Sequence, residues 1–214
     1  MGNAQKTLSS ADTLARDIVR GLYEGQFTAG QRLVEPDLME RFGVSRSTVR
    51  EAIQKLTAQG LVETHLNRGA RIRELTLQQA RNIVLILEQL LALAARQAAE
   101  NIDAPGSREQ LEAALAPFGT KAPPQDKFEF ARMRNRFNRT LARIGGNDEL
   151  AALLSNINAH MIGHRMNMAA EDKRQVYCRI GTAILEGNAA LAERRVRAHL
   201  HGYLDLLAAR YPES

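Results

Sequence analysis

The stretch Phe42-Gly43-Val44-Ser45-Arg46-Ser47-Thr48-Val49-Arg50-Glu51-Ala52-Ile53 decides the fold of the first third of the chain. Gly43 accepts the backbone angles of a tight turn. Ser45 can cap a helix by accepting hydrogen bonds from its free N–H groups. The spacing predicts that helix over residues 46–59, with Val49, Ile53 and Leu56 on its buried face and Gly60 as its stop. Upstream, residues 35–42 read as a short helix with Leu38 and Phe42 one turn apart. Residues 10–23 read as a longer one with Leu14, Ile18 and Leu22 at four-residue spacing. Downstream, residues 61–66 and 70–72 are β-tolerant arms on either side of Asn67-Arg68-Gly69, which reads as a hairpin. Three helices, the second and third joined by a short turn with glycine, then a hairpin, is the order of a winged helix-turn-helix.

That order implies a use. Helix-turn-helix proteins place the N-terminal end of the second helix of the motif in the DNA major groove. Here that end carries Ser45, Arg46, Ser47, Thr48 and Arg50. Arg46 and Arg50 are four apart, on the face opposite Val49 and Ile53, and arginine can bond both O6 and N7 of guanine. The three hydroxyls and the helix N-terminus suit phosphate or a base edge. Arg68 stands at the wing tip, where it can enter the minor groove. His65, Arg71 and Arg73 are candidates for phosphate contact along the wing, and Lys55 is a further candidate on the helix. Any one of these cations alone would be an ordinary solvated charge. Their joint position at a helix start and a wing tip carries the case.

Composition is consistent with this and excludes some classes. The chain has 214 residues, 44% of them hydrophobic, with a net charge of +5. Residues 1–73 hold 11 basic and 8 acidic residues, the remaining 141 hold 18 and 16, so positive charge is denser in the first third. Cys178 is the one cysteine, which excludes an intrachain disulfide and a cysteine-rich zinc site. The chain begins without a long apolar run, and its later apolar stretches are interrupted by Glu88, Arg96 and similar charges. No secretory signal and no membrane span are expected, and a cytoplasmic protein is the simplest expectation.

Beyond residue 75 the strand pattern disappears. Ala and Leu dominate, and short breaks at 103–107, 117–124, 145–146, 169–170 and 187–188 predict six helices over 76–100, 107–116, 125–144, 147–168, 171–186 and 189–210. The expected architecture is mainly α: a winged helix-turn-helix over 8–74 and an antiparallel all-helical bundle over 75–214.

The residues quoted at the outset, continued by Leu56, Gly60-Leu61-Val62 and Asn67-Arg68-Gly69, resemble the GntR family of bacterial transcription regulators. Gly30-Gln31-Arg32-Leu33 and Glu35 fit the family's lead-in. Thr48 stands where many members have proline, and both suit a first helical turn. The resemblance implies DNA reading by Arg46, Arg50 and Arg68.

The second part resembles the FCD effector domain of the FadR-type branch of that family. The resembling residues are Leu87-Glu88, Phe137, Gly146-Asn147, Ala183-Ile184, Gly187-Asn188 and Leu200 after His199. Many such domains hold a divalent metal with one Asp and three His. The corresponding positions here are Arg134, Asn138, Tyr177 and His199, so one ligand of four is retained and the usual metal site is expected to be lost. His160 and His164, one turn apart, are either a substitute pair or ordinary core or rim histidines.

The replacements are informative. Phe130, Arg134, Phe137, Leu141 and Ile144 form one helical stripe with a single charge on it. A buried arginine needs a partner. Two readings stand: Arg134 pairs with Glu88 or another internal carboxylate, or it grips a small carboxylate effector in a two-pronged contact, with Asn138, His164, Tyr177 and His199 around it. Arg132, Arg136, Arg139 and Arg143 form a separate basic face of the same helix.

The expected function is a ligand-responsive transcription regulator, a repressor released by a small organic acid. It would bind a palindromic or pseudo-palindromic operator in duplex DNA as a homodimer. Two other classes remain open: an architectural DNA-binding protein whose bundle only dimerises, and a helical metabolite-processing enzyme joined to a DNA-binding domain. No nucleophile–base pair or catalytic metal set favours the enzyme, and no cofactor is implied.

Overall fold

Ser9 starts the first helix, α1 (Ser10–Tyr23). Its hydroxyl accepts from the Asp12 N–H while the Asp12 carboxylate accepts from the Ser9 N–H, a reciprocal cap. The computed structural model describes residues 9–65, 69–119, 126–156 and 170–210. Leu14, Ile18 and Leu22 are buried along α1 as their spacing requires. Strand β1 (Arg32–Leu33) leads into α2 (Glu35–Phe42), which has Pro36 in its first turn. Gly43 closes α2 in the left-handed region at φ 63, and the Ser45 side chain caps α3 (Arg46–Ala58) by accepting from the Thr48 N–H. Val49, Ala52, Ile53 and Leu56 of α3 are buried, and α3 packs on α1 and α2. Burying side chains such as Val49 and Leu56 stabilises the fold by about 1.5–3 kcal/mol each.

The wing consists of β2 (Val62–His65) and β3 (Gly69–Ile72), paired antiparallel with Val62 opposite Ile72 and His65 opposite Gly69. β1 adds to the other edge of β3, with Arg32 opposite Arg71, so the sheet order is β1-β3-β2. The sequence reading has no β1, because two residues are too few to display alternation. Leu33, 4% exposed, shows what holds it there.

The chain divides between Glu74 and Leu75 into two compact units. The second is helical among its described residues: α4 (Leu77–Glu100), α5 (Ser107–Gly119), α6 (Lys127–Ile144), α7 (Asp148–Asn156), α8 (Ala170–Leu185) and α9 (Ala189–Arg210). α4 packs most extensively on α9 and also touches α6, α7 and α8. Ala92, Ala94, Ala95 and Ala98 are fully buried, and their small side chains permit the close approach. By length and composition α4 is apolar enough to cross a membrane, contrary to the expectation that its charges break it too early. Half of its apolar window is buried inside the bundle, which marks it as the core helix of this unit. α5 runs three residues past its expected end, through Pro117 to Gly119. Phe118 is fully buried and stacks on Tyr177 at 4.7 Å, so its burial carries the last turn past the proline. Of the predicted fourth helix, 148–156 is seen as α7; residues 157–169 lie outside the described residues.

One ion pair ties the ends of α1 and α3. The Lys55 ammonium lies 2.7 Å from Asp12 and 3.0 Å from Glu51. Hydrogen bonds from Lys55 and Ser9 lower the Asp12 carboxyl to a pKa of about 2, and the same pairing raises Lys55 above its ordinary value. A lowered carboxylate pKa adds stability that is complete above the ordinary value near 3.8 and is lost as pH falls toward about 2. Asp12→Asn should therefore lower the melting temperature at pH 7, with the gap to the parent closing between about pH 4 and pH 2. A gap that stays constant across that range would show that the pair does not act through charge.

Candidate functional site

The cap that starts α3 also assembles the first candidate surface. The Ser45 Oγ lies 2.8 Å from the Ser47 Oγ and 2.9 Å from the Thr48 Oγ1, so three hydroxyls gather at a helix N-terminus. The free N–H groups and the positive dipole end there favour a phosphate. Arg46 and Arg50 stand one turn apart beside this cluster, with side chains 61% and 62% exposed. Both turn toward Glu35, the first residue of α2. The Arg50 Nε donates to Glu35 Oε1 at 2.9 Å, and the Arg46 Nε lies 3.6 Å from Oε2. In each case the inner nitrogen faces the carboxylate. The terminal fork of a guanidinium is the part that matches guanine O6 and N7.

Glu35 is the residue that sequence reasoning did not place in this site. It lies fifteen positions from Arg50, and no local spacing signals the contact. His65, at the end of β2, sits 3.4 Å from Glu63 and is half-exposed. Arg68 lies outside the described residues. Arg32 is a second unforeseen cation: its guanidinium lies beside Gly69, at the turn end of the wing. Arg71 donates to the Gly30 carbonyl at 3.4 Å. Lys55 is held by Asp12 and Glu51 and serves the α1–α3 contact.

The second candidate lies in the helical unit. A cavity of about 60 Å³ opens among α4, α6, α8 and α9. Arg134, Asn138, Tyr177 and His199 all line it, so four of the five residues singled out in the sequence converge on one space; His164 lies outside the described residues. Arg134 and Asn138 are successive turns of α6. Arg134 is half-buried, and its Nε and Nη2 both donate to Asn135 Oδ1 at 3.2 Å. Tyr177 on α8 is 4% exposed and packs among Phe118, Phe130, Phe137 and His199 at ring distances of 4.7 to 6.0 Å. Burial pushes its phenol far above the ordinary value. Tyr203 adds to that shift, and the positive charge of Arg134 opposes it. The hydroxyl therefore stays protonated and can donate. Tyr203, one turn after His199 and 4.9 Å from its ring, also lines the cavity and was not foreseen.

The reading that pairs Arg134 with Glu88 is corrected. Glu88 is buried and accepts from Arg197 Nη1 at 3.2 Å, with His201 Nδ1 at 3.3 Å from its other oxygen. Successive residues on a helix point about 100° apart. Leu87 takes the cavity side and leaves Glu88 facing α9. Among the described residues the cavity lining does not fit a divalent metal: Arg134 is cationic, Asn138 neutral, and Tyr177 held as the phenol, which leaves His199 as the one ready ligand among them.

Comparison with known proteins assigns a family to each unit. Residues 10–72 match the family described as bacterial regulatory proteins, gntR family, and residues 82–202 match the FCD domain. The chain is 26% identical over 207 residues to a Paenarthrobacter nicotinovorans protein named as probable D-xylose utilization operon transcriptional repressor, covering 94% of this chain and 91% of that one. It is 26% identical to the regulator LutR of Bacillus subtilis, covering 89% and 97%. Among solved structures, a GntR regulator of Rhodococcus sp. RHA1 superposes with a TM-score of 0.74 at 22% identity, over 95% of this chain and 100% of that one. The chain belongs to the GntR family and carries an FCD domain. It is a DNA-binding transcription regulator and not an enzyme.

Losing the fork should cost sequence selectivity more than general affinity. Arg46→Ala and Arg50→Ala should each weaken binding to a selected operator by about tenfold or more while changing binding to random duplex little. Glu35→Gln removes the negative charge beside Arg46 and Arg50. It should strengthen random-duplex binding and lower the operator-to-random ratio. Fluorescence anisotropy on both duplexes reads these effects, and an equal loss on both would reduce the arginines to phosphate contacts.

Proposed function

We propose that this regulator is a repressor released from its operator by a small carboxylate bound beside Arg134. The observation that carries this reading is the convergence of Arg134, Asn138, Tyr177 and His199 on one cavity of the helical unit. Arginine grips a carboxylate through two parallel hydrogen bonds, and a protonated tyrosine and an amide supply further donors. The repressor role follows the naming of relatives, the D-xylose operon repressor and the Escherichia coli repressor RspR among them.

At the DNA, Arg46 and Arg50 read base edges, while Ser45, Ser47, Thr48 and His65 hold phosphates; Arg68 extends the wing contact. The protein acts in the cytoplasm as a homodimer, because two-fold symmetry matches a palindromic operator. Leu85 and Ile86, 46% and 53% exposed on α4, offer an apolar face for the second copy. Sedimentation at the monomer mass would refute the dimer.

A thermal-shift screen of organic acids tests the pocket. At least one monocarboxylate should raise the melting temperature of the parent, and Arg134→Ala should abolish the shift. Stabilisation that survives the substitution would remove Arg134 from the site.

A further inference from the structure

We infer that Arg32 of β1 holds a phosphate of the DNA strand that crosses between α3 and the wing. This inference rests on the reading of α3 and the wing as the DNA-facing surfaces and adds a contact to the backbone that lies between them.

In a duplex, each sugar-phosphate backbone is the ridge between a major and a minor groove. A protein that sets one helix in the major groove and a wing in the adjoining minor groove straddles that ridge. The ridge then has to lie in the space that separates helix from wing. The first unit has such a space. A groove of about 460 Å³ is bordered by Arg50 and Gln54 of α3 and by His65 and Gly69 of the wing. Arg46, Arg50 and Gln54 are successive turns of α3, so the groove lies along the face that carries the two arginines. Arg32 lines the same groove from β1.

Strand register puts Arg32 there. β1 and β3 pair antiparallel, with Arg32 opposite Arg71 and Leu33 opposite Ala70. Leu33 and Ala70 are buried, which turns Arg32 and Arg71 together to the exposed side of the sheet. The Arg32 guanidinium extends to the turn end of the wing, where its Nε and Nη2 each lie 3.6 Å from the place a Cβ on Gly69 would take. Like charges directly opposite on neighbouring strands destabilise the pair. Arg71 has Glu63 opposite it on β2 and donates to the Gly30 carbonyl at 3.4 Å. A phosphate at Arg32 would relieve the repulsion from the other side, and it matches the planar fork of a guanidinium. Glu35, also on the groove wall, has its carboxylate engaged by Arg46 and Arg50. Phosphates are the same at every sequence, so Arg32 seats the protein on the duplex without reading it.

Fluorescence anisotropy of the 214-residue chain tests this on a selected operator and on random duplex, between about 50 and 200 mM salt. Arg32→Gln should weaken both by about three- to tenfold and lower the salt slope of both by about one. Arg32→Lys keeps the charge and should keep the slope. Both variants should melt with the parent, since Arg32 is exposed. Methylphosphonates placed one at a time along the operator add a positional readout. One neutral position should weaken the parent as much as Arg32→Gln does and cost Arg32→Gln nothing further. That position should lie beside the base pairs at which Arg46→Ala and Arg50→Ala lose selectivity. An unchanged slope in Arg32→Gln, or losses at every neutralised phosphate equal to those of the parent, would overturn the contact. A loss confined to the operator would make Arg32 a base reader and overturn it equally. If Arg46→Ala and Arg50→Ala leave the operator-to-random ratio unchanged while the Arg32 results hold, the base-reading assignment fails and the phosphate contact stands.

Discussion

The packing of Val49, Ala52, Ile53 and Leu56 against α1 leaves Arg46 and Arg50 no place but the solvent. A helix repeats every 3.6 residues, so burying one stripe of α3 exposes the other. The Ser45 cap fixes where the helix begins and hence which turn carries the arginines. The polar cluster of the first unit follows from that burial: three hydroxyls at the helix start, two guanidiniums beside them, and Glu35 holding both by their inner nitrogens.

In α6 the same period has the opposite result. Phe130, Phe137, Leu141 and Ile144 are buried, and Arg134 and Asn138 lie near that stripe, where they line a cavity rather than bulk water. A charge there needs a counter-charge or a polar shell. Asn135 supplies part of one, and Tyr177 is kept protonated by burial. At the four positions where relatives would hold a metal, the chain has one guanidinium, one amide, one phenol and one imidazole.

Most of the architecture was legible because it depends on local spacing. The Leu14-Ile18-Leu22 stripe, the Gly43 turn, the Ser45 cap and the glycine near the wing each declare themselves within a few residues. Features that depend on distant partners did not. β1 exists because Leu33 is buried and Arg32 pairs with Arg71, nearly forty residues on. Pro117 suggested a helix end, yet Phe118 found Tyr177 to stack on. Glu88 was an available carboxylate for Arg134 in the sequence, but its direction from α4 gave it to Arg197 and His201. The cavity residues on α6, α8 and α9 were named through a family resemblance; periodicity alone singled out only Arg134. Tyr203 had no signal beyond its place one turn from His199.

The central claim is that the Arg134 cavity and the operator-reading surface are coupled. Coupled sites obey a reciprocal rule: whatever factor the acid imposes on operator affinity, the operator must impose on acid affinity. The decisive measurement titrates operator duplex at zero and saturating levels of the acid that stabilises the protein most in the thermal-shift screen, and that acid with and without saturating operator, on one preparation of the 214-residue chain. The account predicts a weakening of about five- to a hundredfold, equal in both directions. An acid that binds beside Arg134 while leaving operator affinity unchanged would contradict it.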